Sequence, residues 1–280
     1  MMARWQEAAR PNQLTPGALE SGEDWSVWLI LAGRGWGKTR TGAQDAAIYG
    51  LTHPGHRIAV IGPTYADARD TCIEGESGLR NILPTECVEA WNRSLGELIL
   101  VNGARYKLFS ADEPERLRGP QHHRAWCDEL GAWNYPEAWD QLLFGLRLGT
   151  NPKAIVTTTP KPTPLIRSLV ANPLTYLTKG STFDNAANLA APALAQLKAK
   201  YEGTRLGRQE LSAEILDDVQ GALWTREIIE QARKICTVPD LERIVVAVDP
   251  SGTKGSSDQG DSIGIVVAGR GVDGRGYVLA

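Results

Sequence analysis

The sequence has no excess of either charge. Its 30 basic and 33 acidic residues leave a net charge of −3 over 280 residues. No global basic field exists to attract nucleic acid, so any DNA contact has to be a local groove. Cysteine is scarce: Cys72, Cys87, Cys127 and Cys236 are scattered and form no CxxC pair. That argues against a disulfide or zinc framework and fits reduced thiols in a cytosolic protein. Long apolar runs are also missing. Residues 27–32 and 243–248 are the longest, far too short to cross a bilayer. Residues 1–10 contain no stretch of signal-peptide length, so the expected chain is not exported. Internal repeats and low-complexity tracts are absent. Arginine makes up 21 of the 30 basic residues. A GC-rich genome gives the same bias, so it carries little weight.

What is present, with 42% hydrophobic and 22% charged residues, is a globular composition with room for one large domain or one domain and part of another. Residues 26–32 (SVWLILA) read as a strand buried on both faces. A Gly-rich turn follows, then a helix over 39–49 with Gly50 as its expected C-cap. Residues 57–62 (RIAVIG) read as a second buried strand, with a helix starting over 64–71. Residues 97–101 and 105–109 flank Asn102-Gly103, a strong hairpin signal. Short strands follow at 125–127 and 154–158, separated by an amphipathic helical stretch over 137–148. This alternation predicts an α/β domain around a mostly parallel sheet, over residues 1–180. Residues 181–238 read as a helical linker, with helices over 192–201, 205–218 and 226–235. A further set of strands begins near 239, with 243–248, 263–269 and 276–279. That is too short a meander to bury its own face, so 239–280 reads as the start of a second, truncated domain.

Ala32-Gly33-Arg34-Gly35-Trp36-Gly37-Lys38-Thr39 matches the P-loop with Ala in place of the first Gly. Small residues let successive N–H groups wrap the β-phosphate, and the helix N-terminus favours the anion. Lys38 then serves the β/γ-phosphates of ATP and Thr39 supplies a hydroxyl for Mg²⁺. Arg34 inside the loop is either a solvated arginine or a γ-phosphate or coupling contact. Trp126-Cys127-Asp128-Glu129, about 90 residues on, fits a Walker B strand. Asp128 is the expected Mg²⁺ residue and Glu129 the general base. Residues 154–160 (AIVTTTP) fit a sensor strand lying between the P-loop and Walker B strands, with Thr158 as its catalytic hydroxyl. Arg116 and Arg118 sit on a polar loop, as surface arginines or as a finger reaching a neighbouring site. His122 and His123 are adjacent and point to opposite faces if extended, which argues against metal ligation.

Together these runs resemble the large terminase subunit of tailed double-stranded DNA phages. The matching segments are LAGRGWGKTR (31–40), IGPTYADARD (61–70), FSADEPERLRGPQ (109–121), WCDELGAW (126–133), TTTPKP (157–162), GRQELSAEIL (207–216) and AVDPSG (247–252). The resemblance implies an ASCE-type P-loop ATPase that pumps DNA into procapsids, joined to a ribonuclease H-like endonuclease that cuts concatemeric DNA. It implies that Gly33, Arg34, Gly35, Gly37, Lys38, Thr39 and Asp128 hold nucleotide and Mg²⁺, that Glu129 is the base, and that residues 157–159 form the coupling motif. By the same resemblance, Arg118 is a trans-acting finger and Asp249 the first Mg²⁺- or Mn²⁺-binding carboxylate of the nuclease. Only Asp258, Asp261 and Asp273 accompany Asp249, too few for two-metal cleavage, so the nuclease is expected to be incomplete here. The implied partners are double-stranded DNA, the small terminase subunit, the portal of the procapsid and further copies of this chain in a ring, with no membrane. The implied place is the host bacterial cytoplasm, transiently at the portal vertex. Another ASCE-class translocase or helicase is the alternative enzyme, disfavoured by the PERLRGPQ loop and the AVDPSG strand. A non-catalytic prophage remnant is the alternative that measured ATP hydrolysis separates.

Overall fold

The computed structural model describes residues 2–201, 207, 211, 226–233, 238–249 and 264–279. The chain divides into two compact units, Met1–Asp217 and Asp218–Ala280.

The first unit is built on an eight-stranded sheet. Its strands are β1 (Val27–Ala32), β2 (Arg57–Gly62), β3 (Val88–Asn92), β4 (Glu97–Leu100), β5 (Arg105–Ser110), β6 (Arg124–Asp128), β7 (Lys153–Thr158) and β8 (Thr175–Gly180). Their order is β3-β4-β5-β2-β6-β7-β1-β8. Six neighbouring strands, β5 to β8 in that order, are parallel, and β3 and β4 add an antiparallel edge. The parallel part needs helices on both faces, and the sequence supplies them. Helix Lys38–Thr52 packs Ala43, Ala46 and Ala47 against Tyr106 and Trp126 on one face. Helices Glu115–Arg118, Glu137–Gly145 and Pro164–Ala171 cover the other with Leu117, Trp139, Leu142, Ile166 and Leu169. Every residue of β1 is buried, as its unbroken apolar run requires.

Two expectations need correction. Gly50 is not a cap. The helix runs on to Thr52, and Gly50 lies inside it because a Cβ there would collide with the Tyr106 hydroxyl. The segment after residue 180 is also not a separate piece throughout. The Thr182 amide donates to the Leu211 carbonyl at 2.7 Å, Leu211 is buried, and the first compact unit extends to Asp217. A helix spans Ala191–Tyr201. Most of the helix expected over 205–218 lies outside the described residues.

The second unit contains helix Arg226–Arg233 and three antiparallel strands, β9 (Leu241–Asp249), β10 (Gly264–Gly271) and β11 (Gly276–Val278), in the order β11-β10-β9. Asp249 closes β9 opposite Gly264. Asp258 and Asp261 lie outside the described residues. Ile244, Val246 and Val248 on β9 are exposed.

Candidate nucleotide-binding and hydrolysis site

The loop after β1 turns sharply at Gly35 (φ 74°) and Gly37 (φ 99°), left-handed conformations that a side chain would strain. Its carbonyls are taken one by one. The Gly33 carbonyl accepts from Lys38 Nζ (3.3 Å), that of Arg34 from the Thr182 hydroxyl (2.7 Å) and that of Gly35 from Asn185 Nδ2 (2.7 Å). The Trp36 carbonyl accepts from Arg10 (2.6 Å) and that of Gly37 from the Thr41 hydroxyl (2.9 Å). With the carbonyl side of each peptide satisfied, and the Gly33 and Trp36 amides donating to the Gly180 and Gly33 carbonyls, the remaining loop amides and the orphan N–H groups of the first helical turn form the donor face of the turn. That is the chemistry of a phosphate cradle. A cavity of about 750 Å³ opens here, lined by Gly35, Gly37, Lys38, Thr39, Gln13 and Asn185 among others.

Trp36 explains how a bulky residue fits inside this loop. Its indole is fully buried against Gly180, where any Cβ would clash with the ring nitrogen, and its Nε1 donates to Asp184 at 3.3 Å. Arg10 lies over the ring at 4.9 Å. The loop is therefore fastened both to the N-terminal arm and to the turn after β8.

Sheet order brings the rest of the site to the same edge. β7 lies between β1 and β6, as expected from the sequence. Asp128 ends β6 with 4% of its surface exposed and accepts from the Thr157 hydroxyl at 2.6 Å. The Thr157 oxygen in turn accepts from Trp126 Nε1 at 3.0 Å. Burial raises the Asp128 pKa to about 7, against the lowering pull of Thr157, Lys38 and Cys72. Glu129 follows with φ 48° and ψ 46°, and it has the only positive φ outside glycine among the described residues. That turn brings Oε1 to 3.6 Å from Lys38 Nζ. Its Oε2 accepts from the Thr159 amide and hydroxyl at 3.2 and 3.3 Å. Glu129 is one-third exposed, so water reaches it.

Gly33, Gly35, Gly37, Lys38, Thr39, Asp128 and Glu129 thus converge. Thr158 does not join them. Strand alternation turns its hydroxyl to the other face, where it donates to the Thr159 carbonyl (2.9 Å) and accepts from the Gly131 amide (3.0 Å). Thr157 and Thr159 are the residues that touch the two carboxylates. Arg34 is exposed on the loop. Arg118 is exposed at the end of its short helix, whose Leu117 packs on the face away from helix Lys38–Thr52. Asp249 belongs to the second unit. Arg10, Gln13, Thr182 and Asn185 escaped sequence reading, because nothing in their spacing ties them to a loop up to 150 residues away.

The buried Asp128 carboxylate and the Thr39 hydroxyl are hard oxygen donors beside the phosphate cradle, a set that suits Mg²⁺. Among the described residues no group of three His, Cys, Asp or Glu is placed to hold a metal ion by itself.

The family of the terminase large subunit, T4likevirus-type, N-terminal, matches residues 29–231. The chain belongs to this family. Solved large terminases share the fold. The ATPase domain from Thermus phage P74-26 superposes with a TM-score of 0.54 at 17% identity, covering 72% of this chain and 94% of that one. The large terminase of a thermophilic bacteriophage gives 0.59 at 13% identity, covering 98% and 64%. That of bacteriophage HK97 gives 0.57 at 17% identity, covering 93% and 59%. This terminase chain therefore spans about two thirds or less of the last two proteins. The thermophilic-phage protein has been solved with ADP and with ATP-γ-S. No curated protein matches the chain. Among the described residues, no helix of the terminase chain is long and apolar enough to cross a membrane.

Proposed function

We propose that this terminase chain hydrolyses ATP to drive double-stranded DNA into procapsids. The observation that carries the reading is the pairing of Glu129 with Lys38 on one side and Thr159 on the other, beside a buried Asp128. The loop amides and Lys38 bind the phosphates, and Lys38 neutralises charge that develops on them in transfer. Asp128 and Thr39 would hold Mg²⁺, which when bound neutralises the β- and γ-oxygens. Thr157 fixes the Asp128 carboxylate. Thr159 anchors Glu129 through Oε2, and the Oε1 side accepts the proton of the attacking water. Arg34 contacts the γ-phosphate or couples its loss to movement.

Arg118 acts on a neighbouring subunit. Its helix covers the face of the sheet opposite the P-loop helix, which suits a trans role in a ring. The small terminase subunit and the procapsid portal are the further partners, and the host cytoplasm is the place of action. The meander beginning at β9 is the start of a ribonuclease H-like nuclease, with Asp249 as its first metal-binding carboxylate.

The test is Glu129→Gln, measured with and without duplex DNA. The variant should bind ATP with near-wild-type affinity and lose hydrolysis by a factor of about 10²–10⁴. Retained turnover, or wild-type turnover indifferent to DNA, would overturn the reading.

A further inference from the structure

The end of the sheet opposite the P-loop carries a second charged feature that the hydrolysis site does not use. Parallel strands β2 and β5 begin there, and Arg57 pairs in register with Arg105. Their Cα atoms stand about 4.8 Å apart, and both side chains leave the same face. Like charges in such a pair repel unless an anion lies between them. Both arginines are exposed, and neither makes an ion pair among the described residues. Other cations on this rim are neutralised. Arg124 is clamped by Asp45 at 2.8 Å, Lys153 bonds Asp24, and Lys107 reaches Glu97 at 3.1 Å.

His122 faces the same cavity as these two arginines. It is 2% exposed, and both ring nitrogens are buried without a hydrogen-bond partner. It lines a cavity of about 640 Å³ together with Arg57, Arg105 and Gln121. The ring sits edge-on to Phe109 at 5.3 Å. Burial first, and then Arg57, push its pKa down to about 4, so it is a neutral imidazole with one N–H to donate. The backbone at His122 is tied to the segment carrying Arg147, accepting from the Leu148 amide (3.1 Å) and donating to the Gly145 carbonyl (2.8 Å). Arg147 is exposed and likewise without an ion pair among the described residues.

We propose that Arg57, Arg105 and Arg147, with the His122 N–H, form a binding edge for backbone phosphates of duplex DNA. Guanidinium forks and a buried neutral donor suit phosphate oxygens. It lies at the far end of the sheet from the nucleotide, so one domain can hold ATP and DNA together. The choice of DNA as the polyanion rests on the packaging reading above.

The test is binding of a fluorescent duplex by anisotropy across a range of salt concentrations. Arg57→Gln/Arg105→Gln should weaken binding at every sequence and reduce the slope of log K against log salt by about 2, since each lost phosphate contact removes about 0.9. Arg57→Lys/Arg105→Lys keeps the charge and should keep the slope. Thermal melting checks the fold of both. An unchanged slope in the Gln variant, with wild type binding DNA and hydrolysing ATP, overturns this inference and leaves the packaging reading standing. Wild type that hydrolyses ATP but binds no duplex overturns both. Competition by inorganic phosphate at constant ionic strength would assign the edge to a free anion. Arginine-dependent binding of polyglutamate, with DNA binding undiminished in the variant, would assign it to an acidic protein segment. Either result overturns the proposal.

Discussion

Replacing Asp128 by Asn should make the nucleotide-free protein more stable while abolishing hydrolysis. Asp128 is almost completely buried, and its pKa is raised from 3.8 to about 7, chiefly by burial. At about 1.4 kcal/mol per pKa unit, ionising it in the folded state costs about 4 kcal/mol more than in the unfolded chain. The folded chain therefore binds this proton more tightly than the unfolded one. The penalty grows as pH rises from about 4 and is complete above about 7. Asn keeps an oxygen to accept from Thr157 but carries an amide that must find an acceptor. A net gain of about 2 kcal/mol at pH 8 allows for that mismatch. For a unit of this size it corresponds to a rise in Tm of about 4–8 °C. The assay is thermal melting of wild type and variant in EDTA at matched pH. The advantage of Asn should be about 2 kcal/mol at pH 8, close to zero near pH 5.5 and reversed near pH 4, where only the mismatch is left. An Asn variant no more stable than wild type at pH 8, or a difference that ignores pH, would refute the claim that Asp128 is a buried charge awaiting a cation.

Three further outcomes follow from the same geometry. Gly42→Ala places a methyl against the Trp126 indole, which holds Thr157, so it should cost about 1–3 kcal/mol in melting experiments and lower kcat as well. Arg118→Ala and Glu129→Gln proteins, each inactive alone, should regain part of the ATPase rate when mixed at ring-forming concentrations; no recovery would place Arg118 in cis. The 280-residue chain should show no Asp249-dependent plasmid nicking in Mn²⁺, because only Asp258, Asp261 and Asp273 accompany Asp249, too few carboxylates for two-metal cleavage.

The centre of the sheet was legible and its edges were not. β1, β2, β6 and β7 are buried on both faces, so their sequences are unbroken apolar runs ending in recognisable motifs. β3 (VEAWN) and β8 (TYLTKG) each have a single strand neighbour and partly exposed faces, so they tolerate mixed composition and leave no periodic signal. Gly50 looks like a helix stop in one dimension, and only the distant Tyr106 reveals it as a contact. The three threonines at 157–159 show the limit most sharply. Strand alternation alone says that 157 and 159 share a face and 158 does not, but it cannot say which face meets the carboxylates. Arg10 and Gln13 were illegible for another reason. They act on the P-loop through single hydrogen bonds across the fold, and one-to-one contacts of that kind leave no pattern in the chain.

A P-loop is often treated as a portable cassette of strand, turn and helix. In this chain it is not portable. Trp36 is keyed into the space left by Gly180, and the carbonyls of the turn are fastened by Arg10, Thr182 and Asn185. Grafting residues 32–39 onto another sheet would expose an indole and strand several buried carbonyls. A working transplant has to carry the arm around Arg10 and the turn from Gly180 to Asn185 with it, a unit assembled from three separated stretches of sequence. The same keying restricts drift within this chain. Any side chain at position 180 collides with the ring, so Gly180 can change only once Trp36 has become smaller.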